Sequence, residues 1–188
     1  MQKKLFGLTG QAGSGKDTVA EILSVEYGVL PTSFAAPLKQ AALLLFGMSE
    51  EHINNRELKE TLLPFWDMSP REILQKLGTD AMRNTFGDNF WLRKWFTTYT
   101  SFKDTDDVSV TDVRFPNEAE LIRSLGGTIV HIVRPGNPLA LTGAAADHPS
   151  NKPLNPEASD VILWNDSDLN VLRDRVGELV RGNFKVPA

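Results

Sequence analysis

Short runs of β-branched and aromatic residues alternate along this chain with longer stretches in which apolar residues recur every three or four positions. Leu5 to Thr9 is an apolar run that ends in glycine-rich sequence, which predicts a buried strand. Thr18 to Tyr27 places Val19, Ile22, Leu23 and Glu26 at helical spacing, and Gly28 follows as a stop. Val29 to Phe34 predicts a second strand, weakened by Pro31. Pro37 to Phe46 predicts an apolar helix ended by Gly47. At Ser69-Pro70-Arg71-Glu72 a capping serine, a proline suited to the first helical position and a glutamate that completes a capping box mark a helix start.

Asn89 to Tyr99 predicts another helix, with Phe90, Trp91, Trp95 and Phe96 packing. Asp107 to Thr111 predicts a β-branched strand leading into Asp112. Pro116 to Leu125 predicts a helix closed by Gly126-Gly127, and Thr128 to Val133 a strand. Val161 to Trp164 predicts the final strand, and Ser167 to Arg181 the final helix, with Leu169, Leu172, Val176, Leu179 and Val180 as its stripe. Strands that alternate with helices imply an α/β fold on a mostly parallel sheet with helices on both faces. Ligands then bind at the carboxyl ends of the strands. Pro135, Pro138, Pro149, Pro153 and Pro156 mark one long loop, about 135–156, of the kind that serves as a lid.

Composition narrows the function. The 188 residues suit a single domain, 1–188, with 41% hydrophobic and 23% charged residues. Lys plus Arg is 20 against 24 Asp plus Glu, so the net charge of −4 excludes a strongly basic footprint for a nucleic-acid polymer. With no cysteine, thiolate chemistry and disulfides are excluded, and a reducing compartment fits. The longest apolar run, Ala41 to Phe46, is far too short to span a bilayer. A cytoplasmic protein without membrane partners is expected.

Gly10-Gln11-Ala12-Gly13-Ser14-Gly15-Lys16-Asp17-Thr18 sits between the first strand and the first helix. This is a Walker A loop in its required context. The glycines let successive N–H groups point inward, the helix dipole assists, and Lys16 reaches the β- and γ-phosphates. The residue after the lysine is usually Ser or Thr. Here it is Asp17, a hard oxygen ligand for Mg²⁺ or an acid that complements the helix dipole. Thr18 could hydrogen-bond the α-phosphate.

A Walker loop admits GTPases, motor ATPases and small-molecule kinases. Asn151-Lys152-Pro153-Leu154 lacks the aspartate of a guanine-specificity motif, and Asp112-Val113-Arg114-Phe115 lacks the glycine of a GTPase switch. Motor ATPases usually pair two acids where Asp112 stands alone. A kinase remains, and it needs basic side chains for a second anion. Candidates are Lys39, Arg71, Arg83, Arg114 and Arg134. Arg71, Gln75, Thr79 and Arg83 recur every four residues, along one helical stripe opposite Ile73, Leu74, Leu77 and Ala81. Such a stripe could bind a nucleotide or simply be solvated. Gly78, costly within a helix, suggests close approach of another group. Asp112 could orient magnesium-bound water or the acceptor. Arg114 could serve the phosphates or pair with Glu118. Trp66, Trp91 and Trp95 could stack on a base or pack a core.

These motifs resemble the deoxynucleoside monophosphate kinases of bacteriophages and their prophage relatives. The shared pieces are Gly15-Lys16-Asp17-Thr18, Phe34-Ala35-Ala36-Pro37-Leu38-Lys39 and Ser69 to Asp80 with Arg83 and Trp91. Thr111 to Glu118, Arg134-Pro135, and Asp160-Val161-Ile162 with Asn165-Asp166 complete them. The resemblance implies a three-layer P-loop fold with a lid loop and an acceptor-binding helical region at about 36–100. It implies direct in-line transfer of the ATP γ-phosphoryl to a deoxynucleoside monophosphate, with Mg²⁺, in the host cytoplasm if the chain is phage-encoded. By carry-over, Gly13, Ser14, Gly15, Lys16, Asp17 and Thr18 hold ATP, and Asn165 lies near the adenine. Lys39, Arg71, Gln75, Thr79, Arg83, Arg114 and Arg134 form the acceptor side, and Lys16, Asp112 and Arg114 the catalytic set. Relatives carry His-x-Ser-Glu in the lid where this chain has His148-Pro149-Ser150-Asn151, and no Lys or Arg lies between Pro135 and Asn151. Kinases for other metabolites, such as phosphomevalonate or dephospho-coenzyme A, and a non-catalytic nucleotide-binding module are the alternative readings.

Overall fold

The computed structural model describes residues 3–137 and 152–184, so most of the loop expected as a lid lies outside the described residues. In chain order come β1 (Leu5–Thr9), α1 (Lys16–Tyr27), β2 (Leu30–Thr32), α2 (Ala36–Phe46), α3 (Glu50–Asn54), α4 (Arg56–Glu60) and α5 (Pro70–Gln75). A π-helical segment (Lys76–Arg83), α6 (Asn84–Phe86), α7 (Phe90–Tyr99), β3 (Val108–Val110), α8 (Pro116–Ser124), β4 (Thr128–Val133), β5 (Val161–Trp164) and α9 (Leu169–Arg181) follow. The chain divides into two compact units, Met1–Ser33 with Phe102–Ala188, and Phe34–Ser101.

The first unit holds one sheet, ordered β2-β3-β1-β4-β5, in which every strand pairing is parallel. β1 is central and buried throughout, which is why its sequence shows no polar alternation. Phe6 and Leu8 of β1, with Val130, Ile132 and Leu163, pack against Val19, Ile22 and Leu23 of α1 and Leu172, Val176 and Leu179 of α9. The alternate residues face α8. A Cβ on Gly7 would stand 2.7 Å from the side chains of both Ile122 and Ile129, so glycine lets α8 lie close to the sheet. Helices on both faces make the three layers the sequence implies.

β2 is shorter than expected, three residues rather than Val29 to Phe34. Pro31 has no N–H for a ladder, and β2 is an edge strand paired with β3 alone, where proline is tolerated. No helix among the described residues is long and apolar enough to cross a membrane.

The second unit is helical. Ser69 caps α5 through its hydroxyl, and Glu72 returns its carboxylate to the Ser69 N–H at 2.8 Å, completing the expected capping box. Ala42, Met48, Ile53 and Ile73 form its buried centre, with Phe46, Leu63, Trp66, Leu74 and Leu77 around them. The helix that Ser69 begins does not stay α-helical. From Lys76 to Arg83 it is π-helical, ending with the Asn84 N–H bonded five residues back to the Thr79 carbonyl. This changes the expected stripe: Ala81, expected on the apolar side, is exposed, and Arg83, expected on the polar side, is buried. Gly78 has a packing reason, since a Cβ there would lie 2.7 Å from Leu38 of α2. Its carbonyl accepts the Trp91 indole N–H at 2.9 Å. Trp91 and Trp95 are core residues, and Trp66 donates to the Phe46 carbonyl while packing edge-on to its ring.

On the α8 face of the first unit, the buried Asp160 carboxylate binds three groups at once. Arg123 of α8 donates twice, at 3.0 and 2.7 Å, His131 of β4 lies at 2.9 Å, and the Glu157 N–H donates at 2.9 Å. Burial alone would push this carboxyl up, but the hydrogen bonds from Arg123, the Glu157 N–H and His131 outweigh it and hold Asp160 below the usual range. Asp160→Asn should therefore cost about 3 kcal/mol at neutral pH, the scale of a broken buried pair. The contribution is present above about pH 4 and is lost as pH falls through the depressed native value, so the gap between wild type and variant should narrow in acid. Urea denaturation at a series of pH values checks this, and a gap that stays constant from neutral to strongly acid pH contradicts it.

Candidate functional site

The link from β1 to α1 is a loop whose carbonyls are all occupied. Lys16 folds back so that Nζ donates to the Gly10 and Gln11 carbonyls at 2.7 and 2.8 Å. Asn137 Nδ2 donates to Ala12 O at 2.7 Å, Arg134 to Gly13 O at 3.4 Å, and Asn165 Nδ2 to Ser14 O at 2.9 Å. The Ser14 N–H is bonded within the loop, to Gln11 O. The other loop N–H groups and the start of α1 are what remains to meet an anion.

This shape needs glycine at two places above all. Gly10 sits at φ +150°, and a Cβ there would come within 2.5 Å of the Ile132 carbonyl. Gly15 sits at φ +102°, and a Cβ there would collide with the Asn165 side-chain amide. The Ser14 hydroxyl is buried with no hydrogen-bond partner among the described residues.

The charges at the loop act on one another. Burial first, and the Arg114 guanidinium second, pull the Lys16 pKa from 10.5 down to about 8, while the Asp17 and Asp112 carboxylates push it back up. Asp17 is exposed in the first turn of α1. Asp112 follows β3 and accepts the Ser33 hydroxyl at 2.8 Å, a contact between two strand exits that no sequence spacing announced. Glu118 does not wait for Arg114's side chain alone. It is buried, and its carboxylate accepts the backbone N–H groups of Arg114 and Phe115 at 2.8 and 3.1 Å. Lys16, Asp17, Asp112 and Arg114 thus share one end of the sheet.

Beside the loop lies a cavity of about 330 Å³ lined by Thr18, Arg134, Asn165, Ser167, Leu169 and Leu172. Pro135 and Asp166 complete its lining, which is mostly polar, with Pro135, Leu169 and Leu172 as the apolar part. Arg134, expected among the acceptor-side cations, lies at this cavity and donates to the Walker loop at Gly13 O. Asn165 is both a wall of the cavity and a brace of the loop, its own N–H held by Val133 O at 2.8 Å. Sequence reasoning missed Ser33 and Asn137, whose partners lie 79 and 125 residues away.

A family model for deoxynucleotide monophosphate kinase matches residues 48–176. A protein assigned to that activity in Acanthamoeba polyphaga mimivirus is 37% identical over 182 residues, covering 88% of this chain and 90% of its own length. The chain belongs to the deoxynucleotide monophosphate kinase family. The deoxynucleotide monophosphate kinase of Escherichia phage RB69 is 30% identical over 128 residues, which cover 67% of this chain and 50% of that protein. The dephospho-CoA kinase of Campylobacter jejuni superposes with a TM-score of 0.52 at 17% identity, over 95% of this chain and 96% of that one, and shows the shared fold.

The residues that resemblance to this kinase family assigns to the acceptor lie in the second unit, apart from Arg114 and Arg134. Lys39 is half-buried on α2. Arg71 is held to Glu60 through Nε at 2.6 Å. Gln75 ends α5, and Thr79 and Arg83 fall in the π-helical segment. Arg83 is buried and donates to the Asp88 carbonyl at 2.8 Å, so it also secures the turn before α7. His148 and its neighbours in the lid motif lie outside the described residues.

Lys16→Met tests the loop. Its two carbonyl partners can turn to water, so the melting temperature should stay within a few degrees while turnover falls about 100-fold or more. Near-wild-type turnover in a steady-state assay would remove Lys16 from the phosphate site.

Proposed function

We propose that this chain transfers the γ-phosphoryl group of ATP to a deoxynucleoside monophosphate and releases ADP and the deoxynucleoside diphosphate. The observation that carries the reading is the family membership combined with a Walker loop whose carbonyls are tied back and whose lysine sits among Arg114, Asp17 and Asp112. An oxygen of the acceptor's 5′-phosphate attacks the γ-phosphorus as the bond from that phosphorus to the β,γ-bridging oxygen breaks. The electron pair leaves with ADP. Such a reaction asks the protein for positioning and charge stabilisation rather than for a covalent intermediate.

Lys16 holds the β- and γ-phosphate oxygens, and the Gly13 to Thr18 backbone cradles the rest. Arg114 offsets charge that develops on the equatorial oxygens. Asn165 and the cavity beside it receive the ATP nucleoside, and Arg134, whose guanidinium joins the loop to that cavity, serves the donor. Lys39, Arg71, Gln75, Thr79 and Arg83 bind the acceptor. The donor set suits Mg²⁺, which takes one or two carboxylates and completes its shell with water and phosphate. Asp17, exposed at the loop, and Asp112, anchored by Ser33, are those carboxylates. Held there, Mg²⁺ would supply charge neutralisation at the phosphate oxygens. The chain acts on free nucleotides in the cytoplasm, with no membrane or nucleic-acid polymer involved.

A coupled ADP-release assay with ATP and Mg²⁺, run against the deoxynucleoside monophosphates and their ribose forms, tests the reading. ADP formation that depends on a deoxynucleotide acceptor is expected, and silence across the panel with ATP still bound overturns it. Within that assay, Arg71→Ala should raise the acceptor KM about tenfold and leave the ATP KM within twofold, the loss of one charge-assisted bond. Equal changes in both constants would take Arg71 out of the acceptor site.

A further inference from the structure

Arg175 lies on α9, outside the Walker loop and outside every motif the sequence analysis singled out. Its guanidinium is partly buried and uses one nitrogen for two partners. Nη1 donates to the Trp164 carbonyl and to Asp166 Oδ1, the latter at 2.7 Å. These partners flank Asn165 on both sides. Asn165 in turn donates to Ser14 O at 2.9 Å, occupies the space a Cβ on Gly15 would need and forms part of the cavity wall. A continuous chain of contacts therefore runs from α9 through the turn at residues 164–166 to the phosphate loop.

The turn needs such a brace. Beyond β5 the Asn165 N–H still bonds to Val133 O, but its two neighbours lie toward the surface, Trp164 41% exposed and the Asp166 side chain 40% exposed. A surface ion pair alone would contribute little. Here the same guanidinium also takes a backbone carbonyl, which fixes the direction of the chain on the residue before Asn165 as well as the side chain after it. The α9 helix that carries it is anchored through Leu172, Val176 and Leu179 in the main core, so the brace has a rigid base.

The geometry points to Arg175 as a positioning residue for the ATP site: it holds the 164–166 turn so that Asn165 both braces the Walker loop and shapes the nucleoside cavity. It touches no reacting atom. This rests on the reading of the cavity and loop as the donor site. Because ATP binding can be measured without an acceptor, the test separates this assignment from the choice of acceptor.

Arg175→Met keeps the length and apolar stem of the side chain and removes both bonds. Calorimetric titration of the protein with ATP should show affinity falling about tenfold, the scale expected when a positioned group is allowed to drift. In turnover, the ATP KM should rise by a similar factor while the acceptor KM and kcat stay within about twofold to threefold. Arg175→Lys, which can reach one partner, should recover part of the loss. Asp166→Ala leaves the Trp164 contact in place and should give a smaller rise in ATP KM. It also keeps the test open should Arg175→Met fail to fold. A merely structural role would lower the melting temperature and the active fraction but leave the ATP affinity of the folded protein unchanged. Unchanged ATP affinity in Arg175→Met, or in Arg175→Lys and Asp166→Ala if the methionine variant does not fold, overturns the assignment.

Discussion

β1 is hydrogen-bonded to β3 on one side and to β4 on the other, and both pairings run parallel. Parallel strands open their carboxyl ends at one edge of the sheet, and the chain must cross back over a face before each new strand begins. The exits of β1, β3, β4 and β5 therefore bring the Walker loop, Asp112 with Arg114, Arg134 with Asn137, and Asn165 to one edge. Sequence separations of more than a hundred residues become hydrogen-bond distances for that reason alone. The order β2-β3-β1-β4-β5 also sets the two sides of the loop apart. Acidic and basic groups arrive from β3, and the groups that tie back the Ala12, Gly13 and Ser14 carbonyls arrive from β4 and β5.

Five successive carbonyls, from Gly10 to Ser14, each accept a side-chain donor. An unconstrained glycine-rich loop would sample many conformations, and ordering it costs about 1–2 kcal/mol per residue. The tie-backs offset part of that cost before any ligand arrives. Binding then has less disorder left to remove, which is the physical content of a preorganised anion site. The same bonds explain why a motif defined by its glycines depends on Asn137 and Asn165, which lie far outside it.

The sequence made the layered fold legible because its strands are buried, short and separated by periodic helices. It made the Walker loop legible because that motif is contiguous and its neighbours are local. The readings that changed are those where tertiary contacts outweigh local pattern. β2 is shorter than its apolar run, and Pro31 sits within it because an edge strand paired with β3 alone tolerates a residue without an N–H. The stripe from Arg71 to Arg83 assumed one helical pitch, but Gly78 under Leu38 and a carbonyl turned to Trp91 accompany a π-helical pitch instead. α3 and α4 are five residues each, too short for periodicity to register, and each is defined by its cap at Ser49 or Asn55. Arg134 reads as one more cation in sequence, and only its place at the exit of β4 assigns it to the loop.

Lys16 shows how near its limit such a site is held. Burial and Arg114 bring its pKa to about 8. At neutral pH the ammonium form still prevails. The Asp17 and Asp112 carboxylates oppose that depression, and among the described residues the Gly10 and Gln11 carbonyls are its direct oxygen partners. These are weak substitutes for water, so the lysine retains an unmet demand for negative charge. On the proposed reading, a polyphosphate would meet that demand with full charges where the loop offers only dipoles. The burial that penalises the bare ammonium would thereby strengthen its bond to a phosphate, since low-dielectric surroundings strengthen such a bond.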